Sequence, residues 1–62
     1  MPVVTIQMAK GRTNEQKKKL VSDITATITT TLGVPPEMVT ILIHELDKEN
    51  IGKAGKQMSE IR

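Results

Sequence analysis

The feature that constrains this chain most is a helical segment with a clear beginning and end. Its apolar residues recur every four positions, with one neighbour that widens the stripe: Leu20, Ile24, Ile28, Leu32 and Val21. Thr13, followed three residues later by Gln16, predicts a capping box at the N-terminus. Gly33 suits the left-handed position just past a helix, and the prolines at 35–36 prevent its continuation. The pattern predicts one amphipathic helix over residues 14–32.

Two stretches of this helix indicate how it is stabilised and which of its faces is solvated. Residues 25–31 include five threonines, which are poor helix formers. We therefore expect packing of the apolar stripe, rather than intrinsic propensity, to stabilise the helix. The three lysines at 17–19 are predicted to lie on its solvated face.

Apolar stretches flank the helix on both sides. Residues 3–8 alternate in the manner of a strand, and residues 39–46 are largely apolar on both alternating faces, which is typical of a strand covered on both sides. A strand, a crossover helix and a second strand form a right-handed unit with parallel strands. Residues 51–56 have the glycine spacing of a bent strand or short hairpin, whereas residues 57–62 have too little apolar content to fold alone. The predicted class is α/β: a single β-α-β unit with a short C-terminal hairpin.

A protomer of this kind needs additional support. The chain has 62 residues and no cysteine, so disulfides and thiolate metal sites are excluded, and His44 alone cannot form a metal cluster. Small domains usually depend on disulfides, metals or oligomerisation. Since a two-stranded sheet with one helix leaves one face and both edges open, we expect a multimeric sheet built from several copies.

Composition excludes several classes of function. The net charge is only +2 and there are no aromatic residues, so base stacking is excluded and no nucleic-acid partner is required. No apolar run approaches the ~20 residues needed to cross a bilayer, and no signal-peptide pattern is present, so we expect a cytoplasmic protein without membrane contact. A small dimeric DNA binder that inserts its first strand into the major groove is a competing hypothesis. Against it, that strand has no Lys or Arg before Lys10.

Two residues suggest acid–base chemistry. Met1 is followed by Pro2, and an initiator Met is usually removed before a small residue. Removal would expose a secondary amine with a reference pKa of about 7.7–8.0, suited to a general base at neutral pH. Arg12 has the planar, permanently charged group suited to a carboxylate. Residues 2–12 span about 30 Å when extended, so Arg12 of one chain would reach Pro2 only of another.

Three segments resemble one known family. Residues 1–6 (MPVVTI), 11–17 (GRTNEQK) and 51–55 (IGKAG) are similar to the 4-oxalocrotonate tautomerases, and the resemblance covers nearly all of the chain. It implies a single tautomerase-like domain over residues 1–62, assembled as a hexamer that is a trimer of dimers, without cofactor or metal. It also implies an isomerase that acts on dienols or unsaturated 2-keto acids such as 2-hydroxymuconate, in the degradation of aromatic compounds. Pro2 matches the catalytic base of the family, and Arg12 matches the arginine that holds the distal carboxylate.

Two positions depart from the family pattern. Thr40 aligns with the second arginine, which binds the 1-carboxylate and the 2-oxygen, and Ile51 aligns with the aromatic residue that lines the pocket. Loss of such an electrophilic donor typically costs about 10²–10³ in rate. Candidates for compensation are a strand histidine and two lysines, although each is more readily interpreted as an ordinary exposed residue: His44, Lys48 and Lys53.

These departures leave three alternatives within the same fold. A related subunit in a hetero-oligomer could supply the missing arginine. The chain could itself be a non-catalytic, oligomer-forming subunit. It could also be a hydratase or dehalogenase of the same superfamily that adds water to unsaturated acids.

Overall fold

Two parallel strands and one helix form the body of the protomer. In the computed structural model, which describes residues 1–60, the strands β1 (Val3–Ala9) and β2 (Thr40–Leu46) pair in parallel from Val3↔Thr40 to Ala9↔Leu46. The helix α1 (Asn14–Leu32) connects them. The predicted β-α-β unit is confirmed, and the helix has the predicted bounds.

The ends of α1 are closed by local interactions of the predicted kind. The backbone N–H of Gln16 donates to the Thr13 hydroxyl at 3.1 Å, and the Thr13 N–H donates to the Gln16 side-chain oxygen at 2.9 Å. At the other end, Gly33 adopts φ 69° and ψ 31°, and its N–H donates to the Thr29 carbonyl at 3.0 Å. Both terminal signals that were read from the sequence are therefore present.

Strand boundaries differ slightly from the prediction. Strand β1 is one residue longer, because Ala9 pairs with Leu46. Strand β2 begins at Thr40 rather than at Val39, since a 3-10 turn at Pro36–Met38 precedes it and the Val39 N–H donates to the Pro36 carbonyl at 3.1 Å.

The C-terminal segment forms the short hairpin that the glycine spacing suggested. Strands β3 (Gly52–Lys53) and β4 (Lys56–Gln57) pair antiparallel across Ala54 and Gly55. Both turn residues have positive φ, 54° and 79°, as a type I′ hairpin turn requires. A 3-10 turn, Met58–Glu60, follows the hairpin, so this part of the tail is ordered against the rest of the chain; residues 61–62 lie outside the described part.

Packing within the protomer is incomplete. None of residues 1–60 is fully buried. The helix covers one sheet face, where Val4, Ile6, Ile41 and Ile43 are half-buried. On the opposite face Leu42 remains 47% exposed, so within the protomer β2 is covered on one side only. Its composition had suggested that it would be covered on both sides. A single helix can cover only one face of a sheet, and a fold with so little interior needs additional partners.

The prediction for Lys17 was wrong. Its side chain is half-buried, and its amine lies 2.8 Å from a carboxylate oxygen of Glu45. The cause is helical spacing: Lys17 precedes Leu20 by three residues and Ile24 by seven, which places it on the apolar stripe rather than on the solvated face. Glu45 follows Ile43 by two and so shares its helix-facing side of β2.

None of the helices described for residues 1–60 combines the length and apolarity that a bilayer-spanning segment requires.

Candidate active site

Pro2 and Thr40 are neighbours at one end of the sheet. Pro2 is half-buried directly before β1, and its carbonyl accepts a hydrogen bond from the Thr40 N–H at 3.1 Å. Thr40 is also half-buried and pairs with Val3 in the strand register. Met1, by contrast, is 79% exposed. The structure therefore brings two of the predicted site residues together at the start of β1.

Arg12 lies at the opposite end of the sheet. It is exposed, in the turn between β1 and α1. The seven residues of β1 rise about 3.3 Å each, so the two ends of this strand are separated by about 20 Å. Pro2 and Arg12 therefore do not meet within one protomer. This separation agrees with the prediction from the sequence.

Arg12 borders two clefts that lie side by side. The larger, of about 520 Å³, is lined by residues from the end of β1, the following turn and the C-terminal segment: Met8, Ala9, Lys10, Gly11, Arg12, Lys48 and Met58. The smaller, of about 240 Å³, is lined by Met8, Arg12, Gln16, Lys17 and Leu20. The larger cleft falls within the size range of small-molecule sites and combines apolar walls with several cations.

Ile51 lies at the Arg12 end of the protomer. It is half-buried and follows a 3-10 turn at Lys48–Asn50. Its carbonyl accepts a hydrogen bond from the Met58 N–H at 2.7 Å, and Met58 lines the larger cleft. Of the four predicted site residues, the structure thus brings only Pro2 and Thr40 into contact, and Ile51 is joined to the Arg12 cleft through Met58.

One lysine of the larger cleft forms an ion pair that sequence reasoning missed. The Lys10 amine lies 2.9 Å from an Asp47 carboxylate oxygen, and this hydrogen bond, together with the Coulombic attraction of Asp47, raises the pKa of Lys10 above 10.5. Parallel pairing explains the contact: Ala9 and Leu46 lie side by side, so the residues that follow them meet. The strand register could have predicted it.

Of the three residues considered as compensating groups, only Lys48 lines the larger cleft. His44 lies on the open sheet face, in register with Gln7, and Lys53 lies in the hairpin. The methionines of the cleft, Met8 and Met58, were not predicted to line a site. Met58 is brought here by the hairpin, which folds back so that the Met58 N–H bonds to the Ile51 carbonyl.

The protomer is thus a small parallel β-α-β unit with Pro2 at one end of its sheet and Arg12 at the other. The family model described as tautomerase enzyme matches residues 2–61. The chain therefore belongs to the tautomerase family. This confirms the resemblance seen in the sequence.

Two bacterial relatives match the chain over almost its whole length. A probable tautomerase from Bacillus cereus is 42% identical over 60 residues, which cover 97% of this chain and 98% of the relative. The 2-hydroxymuconate tautomerase of Bacillus subtilis is 39% identical over 61 residues and covers 98% of both chains.

Solved structures share the fold. A crystallised homologue of 4-oxalocrotonate tautomerase superposes with a TM-score of 0.91 at 38% identity, covering 98% of this chain and 100% of that one. A heterohexameric 4-oxalocrotonate tautomerase from Chloroflexus aurantiacus superposes with a TM-score of 0.92 at 31% identity, covering all of both chains. A structure studied for trans-3-chloroacrylic acid dehalogenase activity reaches 0.81 at 32% identity, covering 90% and 97%.

Proposed function

We propose that this protein is a tautomerase that moves a proton within a dienol or unsaturated 2-keto acid resembling 2-hydroxymuconate. Its membership of the tautomerase family supports an isomerase, and the name of the Bacillus subtilis relative supports this substrate class. The observation that carries the proposal is the separation of a proline end from an arginine end on one strand, which a second chain can bring together.

Pro2 is the proposed base. Removal of the exposed Met1 leaves the Pro2 nitrogen as a free secondary amine next to the apolar start of β1. Partial removal of water and a neighbouring cation both disfavour the ammonium form, which keeps the amine available to accept a proton near neutral pH. The amine takes the proton of the 2-hydroxyl and returns it at C5 of the same molecule, so no other reactant is consumed.

Arg12 of another protomer is the proposed carboxylate binder. Its guanidinium, at the edge of the larger cleft, can form two parallel hydrogen bonds to one carboxylate. Because Pro2 and Arg12 lie beyond opposite ends of β1, which is about 20 Å long, an antiparallel arrangement of two chains is needed to place them on one substrate. We propose a homo-oligomer, specifically a hexamer built as a trimer of dimers, in which a single domain over residues 1–62 is the repeating unit.

Thr40 and Ile51 complete the proposed site. The hydroxyl of Thr40, next to Pro2, can donate a neutral hydrogen bond to the 2-oxygen but provides no charge. Ile51, next to Met58, can provide an apolar wall for the carbon chain of the substrate. The reaction is therefore carried mainly by proton transfer and by the positioning that carboxylate binding provides.

The decisive experiment compares preparations that differ only at the chain start. Protein with Met1 removed, verified by intact mass, should convert 2-hydroxymuconate, as followed by the absorbance of the dienol. Protein that retains Met1 has an amide nitrogen at Pro2 and should be at least about 10²-fold slower, the typical contribution of a general base. Pro2→Ala, which leaves a primary amine, should retain part of the activity, whereas the control Pro35→Ala should be unaffected. Equal rates with and without Met1 would exclude Pro2 as the base.

Two alternative functions each have a specific observation in their favour. The dehalogenase structure of the same fold makes hydration of an unsaturated acid testable, through halide release from a 3-haloacrylate. The heterohexameric structure, combined with Thr40 in place of an arginine, favours a subunit that is active only beside a related chain. Native mass spectrometry of the purified protein, together with the dienol assay, separates this case from a self-sufficient homo-oligomer.

A further inference from the structure

We propose that Lys48 is a second anion-binding residue, and that the larger cleft holds a single carboxylate between Lys48 and Arg12. This inference rests on the function proposed above, and it specifies the substrate class: an unsaturated acid whose carboxylate binds at the Arg12 end and which needs no second carboxylate at the Pro2 end.

The first argument for this proposal is the charge of the larger cleft. Three cationic side chains line it, those of Lys10, Arg12 and Lys48, and none of its described lining residues is acidic. Lys10 is paired with Asp47 at 2.9 Å, so its charge is largely compensated. Among residues 1–60, Arg12 and Lys48 form no ion pair. The cleft therefore presents two uncompensated positive charges toward any ligand inside it.

The backbone around Lys48 is held in place. Lys48 begins a 3-10 turn in which the Asn50 N–H donates to the Asp47 carbonyl at 2.8 Å. The Ile51 N–H donates to the Lys48 carbonyl at 3.2 Å. The hairpin adds a further support, since the Gln57 side-chain amide donates to the Glu49 carbonyl at 2.9 Å. These contacts hold the backbone of Lys48 at the border of the cleft.

The smaller cleft does not offer the same site. Its second cation, Lys17, lies 2.8 Å from Glu45, so Arg12 is the only described cation there without an ion-pair partner. A carboxylate has two oxygens and about four acceptor positions, which two cations in one cleft can share. The larger cleft is therefore the one suited to a carboxylate shared by two residues.

The Pro2 end of the site determines whether a second carboxylate of the substrate gains any binding. Thr40, whose backbone N–H is hydrogen-bonded to the Pro2 carbonyl, offers a neutral hydroxyl, and the unprotonated Pro2 amine carries no charge. A second carboxylate at this end would lose its hydration without gaining a cation. Met8 and Met58 provide apolar contact for the carbon chain between the two ends. We therefore expect a monocarboxylate to be bound about as well as a dicarboxylate.

The test is a titration of the whole trimmed protein with two unreactive dienes, followed by amide NMR at pH 8.5. The probes are sorbate, with one carboxylate, and muconate, with two; neither has an enol hydroxyl to be converted. Sorbate should shift the amide signals of Gly11, Arg12 and Lys48, and the dissociation constants of the two probes should agree within about threefold. Lys48→Ala should weaken sorbate binding about five- to tenfold, the expected loss for one charge-assisted contact.

Matched variants isolate the role of Lys48. Lys53→Ala removes the same charge from the nearby hairpin and should change sorbate binding less than twofold, whereas Lys48→Arg should retain it. Unchanged dispersion of the amide spectrum verifies that each variant is folded. Equal effects of Lys48→Ala and Lys53→Ala, muconate binding tenfold tighter than sorbate, or no shift at Arg12 would each overturn the proposal. Since these probes are not converted, loss of the proposed catalytic function would appear separately, in the dienol assay of the Met1 preparations.

Discussion

The backbone N–H of Thr40 donates a hydrogen bond to the carbonyl oxygen of Pro2 at 3.1 Å. This contact makes Thr40 a backbone neighbour of the proposed base, at a position where the sequence resemblance to the 4-oxalocrotonate tautomerases implies an arginine. The pair therefore determines which groups can surround the reacting end of a substrate.

Thr40→Arg should increase kcat/KM for 2-hydroxymuconate by about 10²-fold, because a guanidinium there can bind the 1-carboxylate and polarise the 2-oxygen. The same variant should bind muconate more tightly than sorbate. Thr40→Gln, which adds length without charge, is the control for size. If both variants behave alike, the missing charge does not limit the reaction.

The open sheet face should control assembly. Leu42 is 47% exposed in the protomer, on the side of β2 that the helix does not cover. Leu42→Lys places a charge on this face and should shift the protein toward smaller species in native mass spectrometry, with loss of tautomerase activity at the same concentration. Ser22→Lys, on the exposed surface of α1, should assemble as the unmodified chain does. Normal assembly of Leu42→Lys would show that this face is not an interface.

The Lys17–Glu45 pair should contribute to stability. Both side chains are about three-quarters covered, 26% and 29% exposed, and Lys17→Met leaves the Glu45 carboxylate without its partner. We expect a loss of about 1–2 kcal/mol in the free energy of unfolding, measured by denaturant titration at a fixed protein concentration. Lys18→Met, at the adjacent exposed position, should change it by less than about 0.5 kcal/mol. Replacing both partners with Met should recover much of the loss.

Asp47 should regulate the charge of the larger cleft. Asp47→Asn leaves at most a neutral hydrogen bond and removes the carboxylate charge that raises the pKa of Lys10, so this pKa should fall toward 10.5. At pH 7–9 Lys10 stays protonated but loses its partner, and sorbate should bind roughly two- to threefold more tightly. Asp23→Asn removes the same charge from the Lys19 pair on α1 and should leave sorbate binding unchanged.

The same pair gives a pH dependence of stability. A lysine whose pKa is raised on folding stabilises the native state below its ordinary pKa, and this contribution disappears as the pH rises through the raised value. The difference in unfolding free energy between the unmodified chain and Asp47→Asn should therefore be constant at pH 7–9 and decrease only above pH 10.5. A difference that disappears near neutral pH would contradict this assignment.

Most of the fold could be predicted from the sequence because its signals are local. Thr13 with Gln16, and Gly33 before two prolines, define the ends of one helix through hydrogen bonds that span only a few residues. With the helix bounded, chain connectivity requires parallel strands, and the length of β1 alone separates Pro2 from Arg12. The sequence by itself therefore determined the β-α-β unit and the separation of Pro2 from Arg12 within one chain, on which the proposal of a shared site rests.

The tertiary structure decided which charges face the clefts. Lys17 packs inward because Glu45 lies opposite it on β2, and Lys48 reaches the larger cleft because the hairpin folds back and holds its turn. These contacts join residues far apart in the chain: helical spacing turns Lys17 inward, the packing of α1 on β2 brings Glu45 to it, and the turns after β2 set the position of Lys48. Sequence periodicity reports the preferences of each segment, whereas the meeting of charges from different segments depends on how those segments pack.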